Sequence, residues 1–400
     1  MDIFLQFLFW ASLLGIFHSY GIYPLLLEIL AKRDYPREIP TSENRKSLQV
    51  SILMAAHNEE KVLAEKLDSI AACEFPKDQL NVYLGSDGST DATNAIAEKY
   101  AEQYPWIRFF PFTQRQGKPA LINSLADEAI KNFPQGEQHI FIITDANVIF
   151  SPSLLSCLLR HFTDSAIAVV DSHILPLGMR SEGISRAEQQ YISREAILKF
   201  REGKIWGAMI GPFGGCYAIC SSYFRPVPPN YLVDDFYIVL HALQLGGKAI
   251  NDLEAICYEG ATHALATEFR RKRRIGAGNF QNMFTFNKSW WPPWKSGLQF
   301  AFFSHKILRW TTPHLLLIAL ILAVILAAGG NRFYTFLLFL GTAGAIGAPA
   351  LDKALKQLGL QILPLRALAY FLWMNAALFL GWIDYLKGIK TNVWQPTQRN

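Results

Sequence analysis

The residues best suited to chemistry are carboxylates and amides that directly follow apolar segments. In HIFIITDAN, residues 139–147, the apolar run ends at Asp145, and Asn147 follows two positions later. Two side-chain oxygens at this spacing suit one divalent cation, with phosphate oxygens and water completing its coordination shell. Such a cation would neutralise charge that develops on a leaving diphosphate. Asp and Asn also favour turns and helix starts, so this pattern alone fits a turn equally well.

Two further motifs have the residue types needed to hold a phosphorylated ligand. SDGSTD, residues 86–91, contains Asp87, which could accept hydrogen bonds from a base or a ribose. The same residues also fit an ordinary helix N-terminus with capping hydroxyls. QGKP, residues 116–119, contains Lys118, whose ammonium would either contact phosphate as a point charge or remain solvated.

A pair of acids and a run of basic residues offer catalytic and binding groups later in the chain. VDDF, residues 233–236, places Asp235 where a general base could deprotonate an acceptor hydroxyl, although acids in a first helical turn are also favoured by the helix dipole. Residues 270–274 are five consecutive basic residues. Forked guanidinium hydrogen bonds would suit a diphosphate, and basic residues also orient a chain that enters a membrane. We expect no nucleic acid as a partner so close to membrane spans.

The elements that must position these residues follow a regular alternation from Leu48 onward. Apolar segments of strand length, such as LQVSILMAAH, NVYLGSD, IRFFPF and HIFIITDA, alternate with segments of helical periodicity. This alternation predicts an α/β fold with a mainly parallel sheet and flanking helices. Ligands of such sheets bind at the carboxyl ends of the strands. The polar motifs stand at these ends, so we expect them to lie close together.

The composition predicts a membrane protein with a large water-exposed part. Of the 400 residues, 51% are hydrophobic and 18% are charged, the net charge is +5, and the mean hydropathy is +0.14. Charged residues are absent from four runs, at 3–27, 310–330, 333–351 and 367–383. Each run is about long enough to cross a hydrocarbon core of about 30 Å, allowing for some mismatch. The five cysteines are widely scattered, which favours reduced thiols in a cytosolic domain.

The order of these features predicts the domain organisation. The first apolar run begins Met1-Asp2 and is followed, not preceded, by Lys32, Arg33 and Arg37, which favours a retained helix with the next segment in the cytoplasm over a cleaved signal peptide. The basic residues flanking the last run are balanced and do not orient it. We therefore divide the chain into a transmembrane helix (1–30), a linker (31–47), a cytoplasmic domain (48–288), an interfacial aromatic and basic segment (289–309), three transmembrane helices (310–390) and a tail (391–400).

Taken in order, the motifs resemble those of membrane-anchored family 2 glycosyltransferases, which have the GT-A fold. AAHNEE resembles the PAYNEE loop that holds the nucleotide in that family. SDGSTD resembles DDGSTD, whose acids contact the base or ribose, and TDAN resembles the metal-binding Asp-x-Asp. The resemblance implies that Mg²⁺ or Mn²⁺ binds the diphosphate of a nucleotide-diphospho-sugar. By position it assigns nucleotide contacts to Ala55, His57, Glu59 and Asp87, and metal contacts to Asp145 and Asn147.

The second half of the resemblance concerns the acceptor and the base. GPFGGCYAI, which contains Gly215, resembles the small-residue acceptor strand of the family. VDDF resembles its Glu-Asp pair, so Asp234 would bind substrate and Asp235 would be the base. RRKRRIGAGN resembles the Gln-x-x-Arg-Trp segment, with Arg274 on its arginine and Arg273 as a neighbouring substrate-binding candidate.

Four positions depart from the family pattern. Ser86 replaces the first acid of the nucleotide motif, and Asn147 replaces the second metal acid but retains an oxygen. Arg271 and Ile275 replace the Gln and Trp of the last motif. In processive synthases that Trp lines the acceptor site, so its loss argues against extrusion of a polysaccharide.

The sequence therefore predicts an inverting glycosyltransferase at the cytoplasmic face of a bacterial inner or plasma membrane, acting in the synthesis of a cell-envelope glycan. Its partners would be a nucleotide-diphospho-sugar donor, a lipid, lipid-linked or glycan acceptor, and membrane lipids. Lys118 and Arg274 would stabilise charge on the departing diphosphate. Two alternatives remain: a processive polysaccharide synthase, and a membrane module that binds a nucleotide sugar without turnover.

Overall fold

The computed structural model describes residues 2–32, 48–136, 138–177, 184–260, 265–360 and 362–392. Most of the predicted linker and of the predicted tail therefore lies outside the described residues. The chain divides into two compact units. We call them the sheet unit, Leu27–His263 with Ile389–Asn400, and the helical unit, Met1–Leu26 with Ala264–Gly388.

The sheet unit is built on one sheet of eight strands. In chain order they are β1 (Gln49–Ala56), β2 (Leu80–Asp87), β3 (Ile107–Phe112), β4 (His139–Asp145), β5 (Val148–Phe150), β6 (Ile167–Leu177), β7 (Cys216–Cys220) and β8 (Lys248–Gly260). Their spatial order is β3-β2-β1-β4-β7-β6-β8-β5.

Helices precede, connect and follow these strands. In chain order the longer ones are α1 (Asp2–Ala31), α2 (Leu63–Ala71), α3 (Thr93–Gln103), α4 (Lys118–Asn132), α5 (Leu154–Leu159), α6 (Ile184–Trp206), α7 (Asp234–Gln244), α8 (Leu265–Thr285), α9 (Gly297–Ala328), α10 (Arg332–Gln357) and α11 (Leu363–Leu386).

The first half of the sheet is parallel and matches the predicted strand and helix alternation. β1 pairs with β2 and β4, and β2 pairs with β3, all in parallel. Seven of the eight β1 residues are buried, as expected for a strand covered on both faces. In register, Ala55 is paired with Gly85 on one side and with Asp145 on the other. The polar ends of β1, β2 and β4 therefore reach the same edge of the sheet.

The second half of the sheet is mixed. β7 runs antiparallel to both β4 and β6, β6 and β8 are parallel, and β5 pairs antiparallel with β8. Four of the seven pairings among the described strands are thus parallel, so the sheet is mainly parallel as predicted. The short strand β5 follows β4 after only two residues. This reversal forms the loop that contains Asn147.

The core of the sheet unit explains why the helices pack where they do. Leu63, Leu67 and Ile70 are fully buried and recur at the spacing of one helical face. Burying a Leu or Ile side chain contributes about 1.5–3 kcal/mol. α2 is thereby fixed against the sheet beneath the carboxyl ends of the strands, where the polar loops lie.

The helical unit contains the apolar part of the chain. Four of the described helices, α1, α9, α10 and α11, are long and apolar enough to cross a membrane. Large apolar side chains point outward along them, with Ile3, Phe339 and Ile346 exposed to 84%, 67% and 75%. Extensive exposed apolar surface of this kind is typical of contact with lipid. α9 begins at Gly297, so it includes part of the segment predicted as interfacial.

Candidate active site

The loop of residues 145–147, here called the strand-end loop, is held by its neighbour strand. The backbone N–H of Asp145 donates to the carbonyl of Gly215 over 2.9 Å. The Thr144 hydroxyl donates to the same carbonyl over 3.0 Å. These two bonds fix the end of β4, which leaves the side chain of Asp145 partly exposed above the sheet edge.

Lys118, the first residue of α4, lies between acids from two different elements. Its ammonium donates to Asp145 Oδ1 over 2.6 Å and lies 3.9 Å from Asp234 Oδ2. Burial alone would lower the pKa of Lys118, but the charges of Asp145, Asp234 and Asp235 together raise it above its ordinary value. The lysine therefore remains charged and neutralises the acids around it.

Asp235, in the first turn of α7, is packed against a glycine turn. Gly214 has φ +84°, and a Cβ added to it would overlap the Asp235 carboxylate. Only glycine combines that backbone angle with such a close approach. Burial, followed by the neighbouring charge of Asp234, raises the pKa of Asp235 to about 7, while Lys118 opposes the rise. A carboxylate with such a pKa is suited to accept a proton near neutral pH.

The two halves of the site meet at one dipeptide. Gly215 accepts the hydrogen bond from the Asp145 backbone, while Gly214 packs against the Asp235 carboxylate. The predicted metal ligand and the predicted base are thus joined through two consecutive residues, although they are 90 positions apart in sequence. The role of Gly215 in the acceptor site remains a prediction.

Asp87, the last residue of β2, organises a loop at the same edge of the sheet. Its carboxylate is fully buried, with Oδ1 accepting from the N–H of Gln116 over 2.7 Å and Oδ2 accepting from the N–H of Gly117 over 3.0 Å. The carbonyl of Asp87 lies 2.7 Å from Nδ1 of His57. These bonds place Asp87 and His57 together, beside the start of α4. The predicted contact of Asp87 with a base or ribose stays a prediction.

The loop after β1 is cross-linked to the loop after β2. Asn58, at φ +54°, accepts from the N–H of Thr90 over 2.8 Å through its side chain. The N–H of Glu59 donates to the Thr93 hydroxyl over 2.8 Å. The predicted nucleotide loop, which includes Ala55, His57 and Glu59, is therefore held rigidly next to Asp87.

The donor set around the strand-end loop fits a hard divalent cation. Asp145 and Asn147 offer a carboxylate and an amide, and the ammonium of Lys118 already stands against Asp145 as a cation. Asp234 Oδ2 is buried without a hydrogen-bond partner among the described residues. No three His, Cys, Asp or Glu side chains in that part of the chain lie close enough to hold an ion by themselves. A cation here would need oxygens from a bound diphosphate and water, as Mg²⁺ commonly does.

Comparison with known proteins identifies the domain. The model of the family described as Glycosyl transferase family 2 matches residues 51–223. The chain carries a family 2 glycosyltransferase domain. The match covers the strand-end loop, Asp87, Lys118 and Gly215, while Asp234 and Asp235 follow it.

Relatives of this glycosyltransferase domain match over short segments. The probable glycosyltransferase YdaM of Bacillus subtilis is 36% identical over 95 residues, which cover 22% of this chain and 23% of YdaM. The beta-monoglucosyldiacylglycerol synthase of Nostoc sp. PCC 7120 is 27% identical over 165 residues, which cover 40% of this chain and 33% of that synthase. The chain thus spans about a quarter to a third of these curated relatives.

A solved structure resembles nearly the whole chain. It is the mannosyltransferase PcManGT of Pyrobaculum calidifontis, in complex with GDP-Man and Mn²⁺, which superposes with a TM-score of 0.71 at 20% identity. The similarity covers 96% of this chain and 99% of PcManGT. At this identity it shows the fold alone, and it confirms the predicted GT-A architecture with one N-terminal and three C-terminal apolar helices.

The sequence reasoning missed Lys66, which supports the strand-end loop of the glycosyltransferase from below. Its fully buried ammonium donates to Thr144 Oγ1 over 2.9 Å and to the carbonyl of Val148 over 2.5 Å. These acceptors directly flank residues 145–147. Burial lowers the pKa of Lys66 to about 8. The sequence does contain a sign of this burial, because Lys66 lies on the apolar helical face that Leu63 and Leu67 define.

A second missed group holds the loop that carries Gly214. Asp171 on β6 is fully buried, and its Oδ2 accepts from the N–H of Phe213 over 3.2 Å. Lys199 of α6 lies 3.5 Å from the same oxygen and 3.4 Å from the centre of the Phe213 ring. A buried acid and a buried base on distant elements are paired only by the fold, so spacing alone does not reveal them.

The predicted substrate-binding arginines lie on α8, which groups with the helical unit instead of the sheet unit. Arg273 donates to both carboxylate oxygens of Asp384 on α11, over 2.5 and 2.7 Å. Gly381 lets the two helices approach, because an added Cβ would lie 2.5 Å from the Arg273 carbonyl. Arg273 therefore has a structural partner within the helical unit. Substrate contacts by Arg273 and Arg274 remain predictions.

Proposed function

We propose that this protein is an inverting glycosyltransferase that moves a sugar from a nucleotide-diphospho-sugar to a lipid, lipid-linked or glycan acceptor. The observation that carries the proposal is the junction of Asp145 and Asp235 through Gly214 and Gly215. Inverting transfer needs a base on one side of the sugar carbon and stabilisation of the leaving group on the other. The two acids on either side of one glycine turn suit these two tasks.

Asp145, Asn147 and Lys118 would act on the diphosphate of the donor. A bound Mg²⁺ or Mn²⁺ at this position would supply Lewis-acid stabilisation of the charge that develops there. Support for the metal comes from the all-oxygen donor set and from PcManGT, which was solved with GDP-Man and Mn²⁺. The ammonium of Lys118 would move from its 2.6 Å bond with Asp145 to an oxygen of the incoming phosphate.

Asp235 would take the proton of the acceptor hydroxyl as that oxygen attacks the anomeric carbon. Its raised pKa of about 7 makes it a competent proton acceptor near neutral pH. The Asp234 carboxylate, with one buried oxygen that no described donor bonds, would accept a hydrogen bond from a sugar hydroxyl. A buried acceptor of this kind discriminates strongly against sugars that lack the matching hydroxyl.

The apolar helices favour an acceptor that is anchored in a membrane. Four of the described helices suit a bilayer, and the related Nostoc protein is named as the synthase of a glycolipid. We place the catalytic domain on the cytoplasmic side, where nucleotide sugars are made, of a bacterial inner or plasma membrane. A glycan of the cell envelope would then be the product.

The first experiment is a panel of nucleotide sugars tested for metal-dependent protection of the purified protein against thermal unfolding. The protecting donor is then supplied with membrane lipid extract, and the products are analysed by mass. One added sugar per acceptor supports the proposal, a long polymer supports a processive synthase, and binding without transfer supports a non-catalytic module.

Asp235→Asn tests the base in the same assay. We expect donor protection to remain and turnover to fall about a hundredfold or more, because general base catalysis typically contributes 10²–10⁴-fold. Asp78→Asn, an exposed aspartate of the same unit, is the matched control and should transfer sugar normally. Equal turnover in both variants would remove Asp235 from the mechanism.

A further inference from the structure

We propose that Glu259 is a positioning residue that orients the amide of Asn147 toward the divalent cation. The inference rests on the proposed function, since it concerns the cation of the same site. Asn147 stands where the family has an acid, so its amide must present oxygen, and not nitrogen, to the ion. Glu259 sets this orientation by accepting a hydrogen bond from the amide nitrogen.

The geometry joins the two side chains directly. Asn147 Nδ2 donates to Glu259 Oε1 over 3.3 Å. β5 pairs antiparallel with β8, with Val148 opposite Glu259, so the register sets Glu259 beside the strand-end loop. The two residues are 112 positions apart in sequence, and their contact depends on the reversal between β4 and β5.

The planarity of an amide makes this one hydrogen bond decisive. Oδ1 and Nδ2 are the two branches of one flat group, so fixing the NH₂ on Glu259 turns the oxygen away from it. A carboxylate accepts hydrogen bonds and cannot donate them when ionised, so Glu259 excludes the flipped amide, whose oxygen would face its charge. Partners of a metal ligand commonly set its orientation in this way.

The pair also accounts for the charge that the Asp-to-Asn departure removes. An aspartate at position 147 would stand at hydrogen-bond distance from the Glu259 carboxylate, and two like charges at that distance repel. Asn147 with Glu259 keeps one negative charge and one oriented oxygen. The departure is therefore compensated within the structure, and we expect the site to bind metal.

The test measures binding of Mn²⁺ to the 400-residue chain by the EPR signal of the free ion, with Mn²⁺ alone and with added inorganic pyrophosphate. Glu259→Ala should weaken Mn²⁺ binding about 10–100-fold, the usual effect of losing such a partner. Glu259→Gln keeps an acceptor oxygen but can also donate to the flipped amide, so its Mn²⁺ binding should lie between those of the wild type and Glu259→Ala. Glu254→Ala, which removes an exposed glutamate of the same strand, is the matched control and should bind normally.

A pair of double variants gives a second readout. A carboxylate offers two equivalent oxygens and needs no orienting partner, so Glu259→Ala should weaken Mn²⁺ binding far less in the Asn147→Asp background than in the wild-type background. Such a dependence on residue 147 is a coupling that a general loss of structure does not produce. Thermal unfolding of each variant, measured without metal, shows whether it is folded.

The outcomes separate this inference from the proposed function. Wild-type binding of Mn²⁺ with unchanged binding by Glu259→Ala overturns the inference alone. Equal losses of Mn²⁺ binding in Glu259→Ala and Glu259→Gln also overturn it, since the charge of Glu259 and not its hydrogen bond would then determine Mn²⁺ binding. Failure of the wild type to bind Mn²⁺ even in the presence of pyrophosphate overturns both. Normal metal binding in a protein that transfers no sugar overturns only the proposed function.

Discussion

The ammonium of Lys118 lies 2.6 Å from Asp145 Oδ1, so a lysine from the start of α4 meets the acid at the end of β4. The lysine also lies 3.9 Å from Asp234 Oδ2, which belongs to a third element. Opposite charges this close are attracted strongly where water is partly excluded. Lys118 thus holds the site together before substrate binds, and the bound diphosphate would compete with Asp145 for it.

Replacing Lys118 by Met should therefore have two measurable effects. Turnover should fall about a hundredfold, as is typical when a donor aimed at developing charge is lost. Mn²⁺ should raise the thermal unfolding temperature more in the variant than in the wild type, because the cation then neutralises acids that have lost their internal counter-charge.

The control for this experiment lies on the same helix. Lys131 forms an exposed ion pair with Glu128 at 2.6 Å, and Lys131→Met should leave both quantities almost unchanged, as exposed pairs contribute little. An equal response of the two variants to Mn²⁺ would contradict a role for Lys118 as the internal counter-ion of the site.

The pH dependence should report on Asp235. Its pKa is raised to about 7 by burial and by the charge of Asp234. A base must be deprotonated to act, so kcat/KM should rise as the pH increases through about 7. Asp234→Asn removes the neighbouring negative charge, which lowers the pKa of Asp235 and should move this rise to lower pH. The quantity to compare is the pH at which kcat/KM rises, and it can be compared even if the variant is slower at every pH. An unshifted profile would mean that another group controls it.

The parallel half of the fold could be predicted because its signals are local. Each strand from β1 to β4 is an apolar run of strand length, and the family resemblance also marks the polar residues at the ends of β1, β2 and β4. That Asp145 and Asp87 lie at one edge of the sheet is predicted because the carboxyl ends of parallel strands meet at the same edge. The structure confirms that edge, since β1 pairs in register with both β2 and β4.

The supporting contacts could not be predicted because they depend on pairings between distant elements. Glu259 reaches Asn147 only through the antiparallel pairing of β5 with β8. Lys199 reaches Asp171 from a helix that follows β6. No periodicity links such positions, and a single charged residue in a sequence is usually solvated. Lys66 is the exception, because its place on the apolar face of α2 marks it as buried.

The last prediction concerns Gly117, which joins the loop held by Asp87 to the start of α4. Its φ is +88°, and its N–H donates to Asp87 over 3.0 Å. A Cβ added here would overlap the side-chain oxygen of Asn392, a buried residue of the C-terminal segment in the same unit. Gly117→Ala should therefore combine backbone strain of about 1–3 kcal/mol with a steric clash. We expect a lower unfolding temperature and weaker protection by the nucleotide sugar.

Two further variants separate the causes of that loss. Asn392→Gly in the Gly117→Ala background removes the clash but not the strain, so it should restore part of the stability. Gly136→Ala, in the same unit, adds a Cβ with no heavy atom within 4 Å and should be nearly neutral. Complete recovery in the double variant would mean that the backbone angle of Gly117 is unimportant. No recovery would mean that Asn392 yields easily, and the strain at Gly117 would then account for the whole effect.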